Sequence, residues 1–144
     1  MRVPTSARHK KIYVSGKLCY YLYDACDFLF EDIDEFDFSD LLNMRPLQLE
    51  TKKYGRKECI IKICSKQEGK FCYLLYRIAD ELHFPMDARK EWLAFICKAT
   101  GVSESYCRSY NKRITKKSKK NSENIDNAEF IEAVSLAFEK SKRG

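Results

Sequence analysis

Features that mark several common protein classes are scarce in this 144-residue sequence, which has only five glycines, three prolines and two histidines. It contains no glycine-rich loop of the kind that cradles a phosphate. No apolar run approaches the roughly 18 residues that cross a membrane, and the start, MRVPTSARHKKIYV, lacks the apolar core of a signal peptide. We therefore expect a cytoplasmic protein with no membrane partner.

The seven cysteines do not fit a disulfide framework or a zinc site. A disulfide framework favours an even number of cysteines in loops, whereas these lie within apolar segments. The closest pair, Cys59 and Cys64, has no second pair to complete a zinc site, and His9 and His83 are far apart in the sequence. We expect reduced thiols that fill the core, with no metal and no cofactor.

Charge is distributed unevenly along the chain, whose net charge is +6. Residues 18–44 carry eight acidic residues and no lysine or arginine, whereas residues 45–144 carry 22 basic and 13 acidic residues. This asymmetry indicates one face for a polyanion and another for solvent or a partner, although ordinary solvated charge would give the same composition. No His, Lys or Cys is arranged with the acidic run for acid–base or nucleophilic chemistry, so we expect no enzymatic activity.

The residue pattern predicts a mainly α-helical fold with one small β-hairpin, arranged as a winged-helix-like helix-turn-helix bundle. Residues 1–45 would form a strand, a helix and an acidic aromatic segment, and residues 46–144 the basic hairpin and the helix-turn-helix, unless the two make one continuous domain. A strand is expected at 12–14 and the hairpin turn at Tyr54 and Gly55. Helices are predicted over 17–30, from Ser39 to Asn43, and over 70–84. Two more follow, one capped by Asp87 and running to Thr100, the other capped by Ser103 and running to about Lys116. Residues 116–124 would form a linker to a last helix over 126–140.

A repeat is visible between residues 16–30, GKLCYYLYDACDFLF, and residues 69–83, GKFCYLLYRIADELH, which are identical at eight of fifteen positions. Each copy follows an apolar, β-like run, so the chain contains a duplicated strand-turn-helix element. We interpret it as a packing unit, with a repeated tyrosine surface as the alternative, and expect the first helix to be apolar on most sides and the second to be amphipathic. The predicted core stripes are Leu18, Leu22, Ala25, Leu29 and Phe71, Leu75, Ile78, Leu82, and the opposite stripes are Tyr20, Tyr23, Asp27 and Tyr73, Tyr76, Asp80.

Residues 91–114, EWLAFICKATGVSESYCRSYNKRI, have the pattern of a helix-turn-helix. That motif needs a small residue where the helices cross, a glycine with positive φ in the turn, and an apolar inner face on the second helix. Cys97 and Gly101 meet the first two requirements. The residues that complete the turn and the inner face are Val102, Ser103, Cys107, Tyr110 and Ile114.

The second helix, 103–116, is the predicted recognition helix for DNA. Its first residues would reach base edges and its later basic residues would neutralise phosphates, with the basic hairpin as a wing. Glu104 is discordant, since it would either accept from a cytosine amino group or only offset the helix dipole. The predicted DNA-binding residues are Ser105, Arg108, Ser109, Lys112, Arg113, Lys116, Lys117, Lys52, Lys53, Arg56 and Lys57.

Three segments of residues 60–140 carry a family resemblance: IIKICSKQEGKFCYLLYRIAD, SYCRSYNKRITK and FIEAVSLAFEK. Together they resemble the C-terminal domain of RteC-type regulators of Bacteroidetes conjugative elements. The resemblance implies a helix-turn-helix regulator of mobile-element operons. The polar insertion KKSKKNSEN departs from that family, and the N-terminal half has no counterpart in it.

These patterns together predict a sequence-specific regulator that binds double-stranded DNA. The alternative is a non-enzymatic protein-interaction or dimerisation module that uses the acidic aromatic segment 28–42. In that segment Phe28, Phe30, Phe36 and Phe38 lie among carboxylates and would bind a partner or pack internally. A palindromic DNA site would require a homodimer, for which the aromatic first helix is the candidate interface.

Overall fold

A computed structural model describes residues 12–47, 52–54, 57–108 and 121–143, with the backbone alone for 52–54, 57–59 and 121–127. The fold is mainly helical, as the residue pattern predicts, and the described residues also contain short antiparallel strand pairs. The elements in chain order are α1 (Gly16–Cys26), a 3-10 turn (Asp27–Leu29), β1 (Phe30–Glu31), α2 (Glu35–Leu42), β2 (Lys52–Tyr54), β3 (Lys57–Cys59), β4 (Lys62–Ile63), α3 (Glu68–Glu81), α4 (Met86–Thr100), α5, whose described part is 104–108, and α6 (Asn121–Lys142).

Two antiparallel strand pairs occur within the described residues. Strands β2 and β3 pair from Lys52 opposite Cys59 to Tyr54 opposite Lys57, which confirms the predicted hairpin. Strands β1 and β4 pair with Phe30 opposite Ile63 and were not predicted. This second pairing joins the acidic N-terminal region to the segment that precedes α3.

The predicted strand at 12–14 is wrong, although its alternation of burial is present. Ile12 and Val14 are buried and Tyr13 is 64% exposed. The Val14 amide donates to Asn43 Oδ1 at 2.8 Å, and Asn43 Nδ2 donates to the Val14 carbonyl at 3.0 Å. A side-chain amide thus occupies the place of a neighbouring strand, so the backbone is satisfied without a sheet.

The first two helices have boundaries different from those predicted. Helix α1 is capped by Ser15, whose Oγ accepts the Leu18 amide, and it ends at Cys26 rather than at residue 30. Helix α2 begins at Glu35 because Asp34 and Asp37 form a reciprocal capping box, so Ser39 is not its cap.

The duplicated helices differ in burial in the opposite sense to the prediction. Helix α3 is the more buried, since Tyr73 and Leu74 are covered as well as Phe71, Leu75 and Ile78 of its core stripe, whereas Tyr20 of α1 is 54% exposed. Tyr73 is buried because α6 lies over it, with its ring 5.9 Å from that of Phe130. The equivalent tyrosines therefore do not form a repeated surface.

Helix α6 begins at Asn121, five residues before the predicted start, so residues 121–124 are helical rather than part of a linker. It packs along α1 and against α3. Among its described side chains, the buried ones are Phe130, Val134, Ala137 and Phe138.

One cluster of buried side chains runs from Ile12 to Phe138 and includes both the N-terminal and the C-terminal regions. Trp92 of α4 links these two regions directly, because its Nε1 donates to the Leu42 carbonyl of α2 at 2.7 Å. Within the described ranges, no helix combines the length and the apolar character that crossing a bilayer requires.

Candidate nucleic-acid interface

The turn between α4 and α5 is built on Gly101. This residue has φ 75°, and its amide donates to the Cys97 carbonyl at 2.8 Å, which ends α4 at Thr100. Glycine adopts this left-handed conformation without the steric penalty of a Cβ atom. Helix α4 begins after Pro85. Asp87, which was predicted to cap it, lies in its first turn instead.

Helix α5 starts as predicted. Ser103 Oγ accepts the Tyr106 amide at 3.3 Å, and the Ser103 carbonyl accepts the Cys107 amide at 3.0 Å. Val102 and Cys107 are buried on the inner side, together with Cys97 of α4. The predicted inner residues Tyr110 and Ile114 lie outside the described residues.

A chain of three thiols packs the inside of this turn. Contact with the Cys107 thiol, together with burial, raises the pKa of Cys97, and contact with Cys72 of α3 raises the pKa of Cys107. The raised pKa values keep the thiols of Cys97 and Cys107 protonated at neutral pH, so these two act as small apolar groups rather than nucleophiles. Within the described residues, no group of three or more His, Cys, Asp or Glu side chains is arranged to hold a metal ion.

The outer face of α5 presents Ser105 and Arg108 to solvent. Arg108 Nη2 lies 3.4 Å from Glu104 Oε1, one helical turn away, and the Arg108 side chain is 61% exposed. An exposed pair of this kind contributes only about 0.3–0.5 kcal/mol, so it is easily exchanged for a phosphate contact. Glu104 therefore partly neutralises Arg108 in the free protein.

The hairpin is attached to the end of α4 from which α5 departs. The amides of Ile60 and Ile61 both donate to the Ala99 carbonyl, at 2.8 and 3.0 Å. Carbonyls in the last turn of a helix lack partners within that helix, and Ala99 obtains them from the segment after β3. The structure thus places the backbone of the predicted basic hairpin at the α4–α5 turn.

Most of the other predicted DNA-binding residues lie in strands described by their backbone alone or outside the described residues. Lys52, Lys53 and Lys57 lie in β2 and β3, where only the backbone is described. The predicted residues outside the described ranges are Arg56, Ser109, Lys112, Arg113, Lys116 and Lys117.

The acidic aromatic segment is largely part of the fold. Phe30 and Phe38 are buried, with ring centroids 5.6 Å apart, and Phe28 packs 6.0 Å from Phe130. Phe28 nevertheless remains 45% exposed, and Phe36 of α2 is the most exposed of the four phenylalanines, at 78%. The surface available for the alternative function is therefore centred on Phe36.

The structure also contains a cleft that the residue pattern does not reveal, between α3, α4 and the start of α5. Trp92 and Arg108 both line it. In the sequence, the basic residues on the rim of the cleft cannot be told from ordinary surface charge. What identifies them is that the fold brings them around the same cleft.

Comparisons of this chain with protein-family models, with curated proteins and with solved structures found no match.

Proposed function

We propose that this protein is a sequence-specific regulator that binds double-stranded DNA and uses the helix starting at residue 104 as its recognition helix. The observation that carries the proposal is the α4–Gly101–α5 pair. Its turn is closed by a left-handed glycine, its inner side is packed by Cys97 and Cys107, and its outer side presents Ser105 and Arg108. A recognition helix requires this division between a packed and a polar face.

The charge of the sequence supports the same proposal. Residues 108–120 contain seven basic residues and no acidic residue, and they continue directly from the described part of α5. The attached hairpin brings a second basic segment to the same turn and would serve as a wing. The resemblance to RteC-type regulators supports a role in controlling mobile-element genes.

Salt dependence of binding to a labelled DNA duplex tests the proposal. A protein that makes about four phosphate contacts should show a slope near −3.6 for log affinity against log salt concentration. Between 50 and 200 mM salt this slope corresponds to a loss of about 150-fold, which fluorescence anisotropy measures directly. The absence of binding at the lowest salt concentration would reject the proposal.

Two arginines provide a matched comparison of the contact surface. Arg108 and Arg143 are both exposed, and each pairs with a glutamate four residues earlier, at 3.4 and 3.9 Å. Arg108→Ala should weaken binding to all sequences and reduce the salt slope by about 1, whereas Arg143→Ala should leave both unchanged. Equal losses from the two variants would show that α5 is not at the interface.

Ser105 tests base recognition separately from phosphate binding. Ser105→Ala should change the preference among duplex sequences without changing the salt slope, because a base contact discriminates sequence and a phosphate contact does not. A uniform loss across sequences would mean that the helix docks in a different orientation.

A second function, protein interaction or dimerisation through the acidic aromatic segment, is favoured by one observation. Phe36 is 78% exposed and lies between Glu35 and Asp37 on α2. Phe36→Ser should abolish self-association in sedimentation experiments if this residue forms the contact. A monomer at all concentrations, for the unaltered protein, would exclude a homodimer through this surface.

A further inference from the structure

The cleft between α3, α4 and α5 has the size of a small-molecule site. Its volume is about 650 Å³, and ligand sites in proteins commonly occupy about 300–1,000 Å³. Helix α3 contributes Leu75 and Ala79, and helix α4 contributes Trp92. All three are almost completely buried, so they form a rigid apolar floor that presents little surface of its own to a ligand.

The mouth of the cleft exposes further apolar surface. Met86 is 68% exposed and Tyr76 is 38% exposed, and both line the space. Exposed large apolar groups beside an apolar floor favour a ligand whose body is itself apolar, because its binding removes this area from water.

The charged groups of the cleft are all basic. Arg89, Lys90 and Arg108 line it, and none of its described lining residues is acidic. Arg89 Nη2 donates to the carbonyls of Ala79 and Phe84 at 3.2 and 3.4 Å, which fixes the guanidinium. Its Nε is buried and has no hydrogen-bond partner within the described structure. A buried donor without an acceptor is costly, and an anionic ligand would supply one.

We infer that this cleft binds an amphipathic organic anion, such as an aromatic carboxylate or sulfonate, with its apolar part against Met86 and Tyr76, beside Trp92, and its anionic group among Arg89, Lys90 and Arg108. Three convergent cations select the anion, and the apolar floor selects against small inorganic anions. The inference does not rest on DNA binding, because every group that carries it lies within the cleft.

Trp92 provides the readout, since it is the only tryptophan in the chain. Its indole is held by the hydrogen bond to Leu42, so its fluorescence reports the cleft rather than a mobile side chain. Anilinonaphthalene sulfonate, an amphipathic anion, should quench this fluorescence saturably with one site per chain. Inorganic sulfate and the neutral naphthalenemethanol, at matched ionic strength, should bind at least about tenfold more weakly.

A charge-matched pair of double variants locates the site. Lys90→Ala with Arg108→Ala should weaken binding of the sulfonate about tenfold or more. Lys98→Ala with Arg143→Ala removes the same total charge from exposed positions outside the cleft, so it should leave the affinity unchanged. Unchanged thermal unfolding of all variants would show that the sulfonate is reporting on the folded protein.

Three results would overturn the inference. One is equal affinity in the two double variants, and another is equal affinity for the sulfonate and the neutral naphthalene. The third is sulfonate binding that leaves Trp92 fluorescence unchanged. None of these measurements includes DNA, so they are independent of whether the chain is a regulator.

Discussion

Replacing Gly101 with alanine tests the turn on which the proposed recognition helix depends. Gly101 has φ 75°, in the left-handed region, and it connects α4 to α5. Gly16 offers the same chemical change in an ordinary helical conformation, at the start of α1. A Cβ atom added to Gly16 would meet no atom within 4 Å.

The two substitutions should change the free energy of unfolding in opposite directions. A left-handed conformation costs an L-residue about 1–2 kcal/mol, and the reduced freedom of alanine in the unfolded chain returns about 0.4–1 kcal/mol. Gly101→Ala should therefore lower the free energy of unfolding by about 1 kcal/mol. Gly16→Ala should raise it by about 0.5–1 kcal/mol, because alanine favours the helix and meets no clash.

Urea unfolding of both variants, followed by circular dichroism, measures the difference. Gly101→Asn is a further control, since asparagine tolerates the left-handed region and should lose less stability than alanine. If both alanine variants shift the free energy of unfolding in the same direction, the conformational argument for the turn is wrong. Gly101→Ala should also reduce DNA affinity under conditions where it remains folded, whereas Gly16→Ala should not.

Two further predictions concern the N-terminal region. Asn43→Ala should lower the free energy of unfolding in urea by about 1–3 kcal/mol, because it leaves the partly buried Val14 amide and carbonyl without partners. A change below about 0.5 kcal/mol would contradict this role. Burial raises the pKa of Asp37 above 3.8, and the charges of Asp34 and Asp40 add to the increase despite the hydrogen bond that Asp37 accepts. The resulting stabilisation is present below the unfolded pKa and is lost as the pH rises through the folded pKa. Asp37→Asn should therefore gain stability relative to the unaltered chain as the pH rises from below the ordinary aspartate pKa to neutrality, and a constant difference would exclude this cause.

The turn between α4 and the start of α5 was predictable because its determinants are local. A glycine ends α4, a serine two residues later caps α5, and apolar residues at helical spacing form the inner side. Each of these signals acts within one or two turns of the chain. The sequence window that contains them is therefore sufficient to predict the turn.

The pairing of β1 with β4 was not predictable in the same way. Each strand has two residues, and Phe30 lies 33 positions before its partner Ile63. Two residues cannot show an alternation of apolar and polar positions. The pairing depends on how the whole core brings these segments together, which no short pattern encodes.

The burial of α3 was underestimated because two of its covered residues carry polar groups. Arg77 donates to the Tyr73 hydroxyl at 2.8 Å and to Ser135 of α6 at 3.1 Å, and its guanidinium lies 5.4 Å from the Phe138 ring. The Tyr73 hydroxyl is thus satisfied within α3 by Arg77, and Arg77 in turn reaches a helix about 60 residues further along the chain. Helical periodicity treats these polar groups as a solvent-facing stripe, whereas the tertiary structure covers them.

The DNA-binding proposal and the cleft share Arg108, which makes their relation testable. The guanidinium of Arg108 cannot contact a DNA phosphate and a ligand anion at full strength at the same time, and in the free protein it pairs with Glu104. If both proposals hold, the sulfonate should weaken DNA binding, and DNA should weaken sulfonate binding by the same factor. Arg108→Ala should remove this coupling while leaving residual affinity for each ligand. If the coupling persists in Arg108→Ala, another residue must transmit it. If the cleft is fully occupied without any change in DNA affinity, the two ligands bind at independent sites.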